Sequence, residues 1–89
     1  MRTLPLIAEF LGTFLLLVSI FVTGNFLVIG GALAAVVFLI GGISGGHVNP
    51  AVSLAFYMKG SLSLTELLTY TAVQLAGAVS ALLAVQAFA

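Results

Sequence analysis

The sequence contains no cysteine, which excludes disulfides and thiolate metal sites and leaves the redox compartment unread. Charge is almost as scarce. Arg2, Glu9, Lys59 and Glu66 are the only Arg, Lys, Asp or Glu side chains, 4% of the chain, against roughly a quarter in a typical soluble domain. None of them lies between Phe10 and Met58. A formal net charge of zero offers no basic footprint, so nucleic acid is not an expected partner. The single histidine, His47, has no acidic residue near it in sequence. No nucleophile–base pair or metal cluster can be read, and neither an enzyme nor a cofactor is expected.

Apolar side chains are what the chain has, at 63% of its 89 residues. A domain this small buries only part of its surface, so it cannot hide so many of them from water. A bilayer removes the difficulty, and the chain reads as an all-α, multi-pass integral membrane protein whose first partner is lipid. A cleaved signal peptide does not fit the first apolar run, which is long, carries Glu9 near its start and is followed by further membrane segments.

About 20 apolar residues span a bilayer as a helix. One such stretch runs from about 4 to 22, and Thr23-Gly24-Asn25 marks a turn. A second runs from about 26 to 43, antiparallel to the first because the connection is so short. Residues 50–58 form an apolar segment only about 12 Å long as a helix, too short to cross. After a polar break, Ser63 and Glu66 have the spacing of a capping box and open a helix over about 64–88. The expectation is therefore three transmembrane helices and one re-entrant half-helix in a single unit, 1–89. Small residues spaced by four, Gly30 with Ala34, Gly31 with Ala35, and the row Ala72, Ala76, Ser80 and Ala84, mark faces on which membrane helices pack closely. Arg2 and Lys59 fall on one side of such a topology, which predicts an inside N-terminus, though with a charge bias weak enough to leave dual insertion open.

Ser44-Gly45-Gly46-His47-Val48-Asn49-Pro50-Ala51 breaks the apolar pattern. Irregular backbone at membrane depth is tolerated only inside protein or against a water-filled cavity. Gly45 and Gly46 accept backbone conformations that other residues resist, and carbonyls held there can face a pore. Asn49 followed by Pro50 is a helix-start signal. The half-helix would aim its positive dipole end at the membrane centre, and the Asn49 amide would donate to a solute oxygen. Val48, Val52 and Leu54 would keep the rest of the site dry.

These residues resemble the first Asn-Pro-Ala loop of the aquaporin and glycerol-facilitator family. Ala8-Glu9-Phe10-Leu11-Gly12-Thr13-Phe14 is similar to that family's first-helix motif, and Tyr70, Gln74, Gly77 and Ala78 to a pattern on its third helix. The resemblance covers essentially the whole chain. It implies one of the two inverted repeats of a six-helix channel, in which water or small neutral solutes pass in single file. It further implies that Asn49 donates to the solute, that Gly45, Gly46 and His47 supply pore carbonyls beside Pro50 and Ala51, and that Ile29 stands at a constriction. Glu9 would brace the loop, with Gln74 hydrogen-bonding between helices.

The sequence departs from the family by holding one Asn-Pro-Ala turn, with Val52 after it and no pore arginine; the only arginine is Arg2. Three explanations stand: a half-channel paired with an inverted copy of itself, a half paired with a different one, or a piece of a longer channel. The self-paired homo-oligomer is the favoured expectation, conducting water or small neutral solutes such as glycerol in a plasma or inner membrane. The competing functions are a non-conducting membrane-association unit and a small antiparallel-dimer transporter using Glu9.

Overall fold

The computed structural model describes residues 2–89 and is entirely helical in its regular structure. Its helices are α1 (Leu4–Thr23), α2 (Phe26–Ile40), α3 (Pro50–Met58) and α4 (Leu64–Phe88). The longest dimension is 40 Å, close to the ~40–45 Å of a bilayer with its headgroups.

Each boundary has a local cause. α1 ends at Gly24, which takes the left-handed conformation (φ +57°) and donates its N–H to the Ile20 carbonyl. Asn25 starts α2, its Oδ1 accepting from the amides of Leu27 and Val28. Ser63 and Glu66 form both bonds of the capping box that opens α4. α2 is shorter than the expected 26–43. It stops at Ile40, where Gly41 and Gly42 favour the helix least, and the chain leaves it through turns closed by Ser44 N–H to Ile40 O and Gly45 N–H to Gly41 O. At 15 residues α2 falls short of the span expected for a third crossing, whereas α1 and α4 are long and apolar enough to cross a membrane.

α1 is the central element, flanked by α2 and α4, and α3 packs on α4. α1 and α4 run in parallel: Pro5 and Leu6 line one cavity with Ser63 and Glu66, while Val18 and Val22 line another with Ala84 and Phe88. The faces they bury are small or polar. On α1 they are Pro5, Ala8, Glu9, Gly12 and Thr13, and on α4 Tyr70, Gln74, Gly77 and Ala81, both in steps of three and four. Leu11, Leu15, Leu75 and Leu83 point outward. In lipid, pressing two leucines together gains little, so close approach and interhelical hydrogen bonds hold the helices instead.

Gly77 permits that approach: a Cβ there would lie 2.6 Å from the Phe10 carbonyl oxygen across the α1–α4 crossing. Gly12 faces the other way, and a Cβ there would come within 2.9 Å of Val36 and Ile40 of α2 and of Val48. The expected rows of small residues are used only in part. On α4, Ala72 and Ala76 are exposed while Ser80 and Ala84 are half-buried, because the face that meets α1 runs through Gln74 and Gly77. Gly30, Gly31, Ala34 and Ala35 are also exposed, and a Cβ on either glycine would meet nothing within 4 Å.

Candidate functional site: the loop before α3

The loop between α2 and α3 is folded back to the level of Gly12, near the middle of α1, where the Val48 side chain packs. Three of its residues sit at positive φ: Gly45 (+95°), Gly46 (+65°) and Val48 (+46°). Glycine meets that demand without strain, and at Gly46 a Cβ would also lie only 3.2 Å from the Val37 Cα. Val48 is a different matter. A β-branched residue in this region costs about 1–3 kcal/mol and persists only when its surroundings over-determine it.

Those surroundings centre on Glu9, which is 0% exposed. Its Oε2 accepts from the Ser44 hydroxyl (2.6 Å) and the His47 N–H (3.0 Å). Its Oε1 accepts from the Val48 N–H (2.7 Å) and Gln74 Nε2 (3.0 Å). All four contacts are donors, which suits an acceptor-only carboxylate. One side chain of α1 thereby satisfies two backbone amides of the loop that no secondary structure serves, and the Val48 amide is pulled into its strained setting by the shortest backbone bond of the set.

A second ring of contacts locks the first. Gln74 Nε2 also donates to Ser53 Oγ (3.0 Å), and Ser53 Oγ lies 2.9 Å from His47 Nδ1. The Tyr70 hydroxyl donates to the Ser44 carbonyl (2.8 Å). The His47 ring stacks on Phe56 at 4.6 Å and 14°. The loop is thus tied to α1 by Glu9, to α4 by Tyr70 and Gln74, and to α3 by Ser53 and Phe56.

Gly45 and Asn49 are the exposed residues of the loop. Among the described residues, the carbonyls of Gly45, Gly46 and His47 receive no hydrogen bond. Asn49 is exposed and caps α3, its Oδ1 accepting from the Ala51 N–H (2.8 Å), with Pro50 as the first helical residue. The cap uses the amide oxygen and leaves the Asn49 nitrogen free of partners among the described residues. Pro50 is half-buried and Ala51 exposed beside it. Glu9 and Gln74 lie buried behind this surface and do not reach it. Ile29 stands apart. It is half-exposed near the start of α2, eight residues (37 − 29) before Val37, which is about 12 Å along the helix from where the loop touches.

Of the apolar residues expected to keep the site dry, Val48 is buried against Gly12 of α1, Val52 is half-buried and Leu54 points outward at 48% exposure. Sequence reasoning also passed over Ser53, which is fully buried and joins three segments. The available signal was a hydroxyl one helical turn after the Asn49 cap in an otherwise apolar stretch. A cavity of about 570 Å³, lined among others by Arg2, His47, Glu66 and Tyr70, opens beside the braces at the α4 N-terminal end.

A family model described as major intrinsic protein matches residues 3–89. Among curated proteins, the chain is similar to Aquaporin-10 of Milnesium tardigradum, 46% identical with 84% of this chain and 22% of that protein covered. It is similar to Aquaporin PIP1-1 of Arabidopsis thaliana, 37% identical over 82% of this chain and 32% of that protein. It also resembles the lens fiber major intrinsic protein of Gallus gallus, 46% identical over 66% of this chain and 22% of that protein. The chain therefore spans about a third or less of the length of the relatives it matches. No solved structure matches it.

Proposed function

The chain belongs to the major intrinsic protein family, and from that premise we propose that it forms one half of a passive membrane channel for water and small neutral solutes such as glycerol. One observation carries the reading: a loop fixed by Glu9, Tyr70 and Ser53 leaves the Gly45, Gly46 and His47 carbonyls and the Asn49 amide nitrogen without hydrogen-bond partners among the described residues. At membrane depth such groups require an aqueous lining. They offer several acceptors and one donor at the α3 N-terminus, whose dipole disfavours cations. Pro50 and Ala51 form the turn beside that donor.

The other wall of the pathway comes from a second repeat, inverted in the membrane, and a second copy of this chain is the most economical source. The exposed small-residue face of α2 supports a close helix partner there. With α2 continued by the turns over residues 41–44, three segments of each copy would cross and six would enclose the pore. Ile29 and Val52 would each line it twice, with no fixed cation, which favours neutral solutes over charged ones. The Glu9-dependent transporter finds less support, since Glu9 is wholly buried and already accepts from four donors.

Osmotic-shock flux in proteoliposomes of the purified chain tests this directly. Wild type should conduct water and glycerol. Asn49→Asp, which puts a carboxylate where the donor stood, should reduce flux at least tenfold at equal protein density. Unchanged flux would place the pathway elsewhere, and C-terminal reporter fusions found on one side of the membrane only would rule out the inverted self-pair.

A further inference from the structure

Two buried polar side-chain atoms have no hydrogen-bond partner among the described residues: Thr13 Oγ1 and Gln74 Oε1. Both residues are almost completely enclosed, at 3% and 1% exposure. The Gln74 nitrogen is fully committed, with one hydrogen to Glu9 and one to Ser53, so its oxygen faces away from both. Thr13 does not make the common back-bond to the carbonyl one turn earlier, and its hydroxyl stays in the helix interface.

The two residues occupy the same seam. Thr13 is one turn beyond Glu9 on α1, and Glu9 is the residue Gln74 binds. Gly77, one turn beyond Gln74 on α4, would carry a Cβ 3.2 Å from Thr13 Cβ. An orphan acceptor and an orphan hydroxyl therefore lie on adjoining turns of a seam that neither lipid nor a partner chain can enter. Gln74 Oε1 accepts only, so it needs a donor; the threonine hydroxyl both donates and accepts. A small ligand that does both satisfies the pair, and buried waters ordinarily take two to four such partners.

We propose that Thr13 and Gln74 hold a buried water molecule in the α1–α4 seam, separate from any conduction path. This water extends the Glu9 network by one turn, so that Ser44, Glu9, Gln74, the water and Thr13 form a continuous chain from the loop into the helix crossing. Thr13 is then a positioning residue for Gln74, and through it for the Glu9 brace.

The test is an experimental structure of the full chain in nanodiscs at a resolution that shows ordered solvent, for wild type and Thr13→Val, with thermal midpoints of wild type, Thr13→Val and Thr13→Ser. The expected result is a solvent peak within about 2.7–3.2 Å of both atoms in wild type, lost in Thr13→Val. The midpoint should fall by several degrees in Thr13→Val and return in Thr13→Ser. Ordered side chains with no peak, a direct Thr13–Gln74 bond, or Thr13 turned onto the Glu9 carbonyl would overturn the assignment. So would a Thr13→Val protein as stable as wild type. None of these readouts depends on flux, so this proposal and the channel reading stand or fall separately.

Discussion

The α1–α4 seam and the outer face of α2 are built from the same kinds of residue and have opposite surroundings. Gly77 sits in the seam where a single added carbon would strike the Phe10 carbonyl, whereas Gly30 and Gly31 on α2 face open space. The seam also holds Glu9, Gln74, Ser53 and Tyr70 in contact, while the exposed side of α2 carries Phe26 and Phe38 at 79% and 86% exposure. Small residues permit close packing without ensuring it. What closes the seam is the polar network, which supplies directional contacts that lipid cannot replace. α2 has no such network within the chain, and its small-residue face is free for another molecule.

The contrast can be broken most forcefully at its centre. Glu9→Gln keeps one acceptor but turns an amide N–H₂ toward two donors. Losing two hydrogen bonds to a charged group, at ~1.5–3 kcal/mol each, should destabilise the fold by about 3 kcal/mol or more. Thermal unfolding in detergent micelles would show it, and a midpoint within a degree of wild type would mean that the loop does not depend on this carboxylate.

A matched pair of glycine substitutions sharpens the comparison. Gly77→Ala should cost about 1–3 kcal/mol by forcing α1 and α4 apart. Gly31→Ala should leave the isolated chain unharmed or up to about 1 kcal/mol more stable through helix propensity, while weakening self-association in Förster-transfer titrations. Equal effects at both sites would erase the distinction between a closed face and an open one. A more local effect belongs to Ser53→Ala, which removes one node between α3 and α4. We expect a loss of about 1–2 kcal/mol and faster amide exchange at His47 and Val48; protection equal to wild type would reduce Ser53 to a packing residue.

The helices were legible because their signals are local. Asn49 and Ser63 announce helix starts by side-chain chemistry alone, and the capping box at Ser63 and Glu66 is present as its spacing implied; Asn25, read as part of a turn, also caps α2. The end of α2 was harder to read, since Gly41 and Gly42 sit in an apolar run whose composition continues to Ile43. The packed face of α4 was legible from Tyr70 and Gln74, polar-tipped side chains four residues apart that lie buried on one side, whereas the alanine row was a poorer guide because alanine is common on every side of that helix.

By itself the sequence determined that this chain belongs in a bilayer, that α3 and α4 start at particular caps, and that an irregular loop interrupts the helices before Asn49. Those properties depend on composition and on residues a few positions apart. Tertiary structure alone decided that Val48 adopts a left-handed backbone, that Ser53 joins His47 to Gln74, and that Glu9, 35 to 65 residues from its partners, holds the loop. A buried carboxylate can be seen in a sequence, but which amides it satisfies depends on where the helices bring them. The carbonyls of Gly45, Gly46 and His47 stay without partners among the described residues for the same reason: the long-range bonds that fix the loop are taken by its amides, the Ser44 hydroxyl and carbonyl, and the His47 ring.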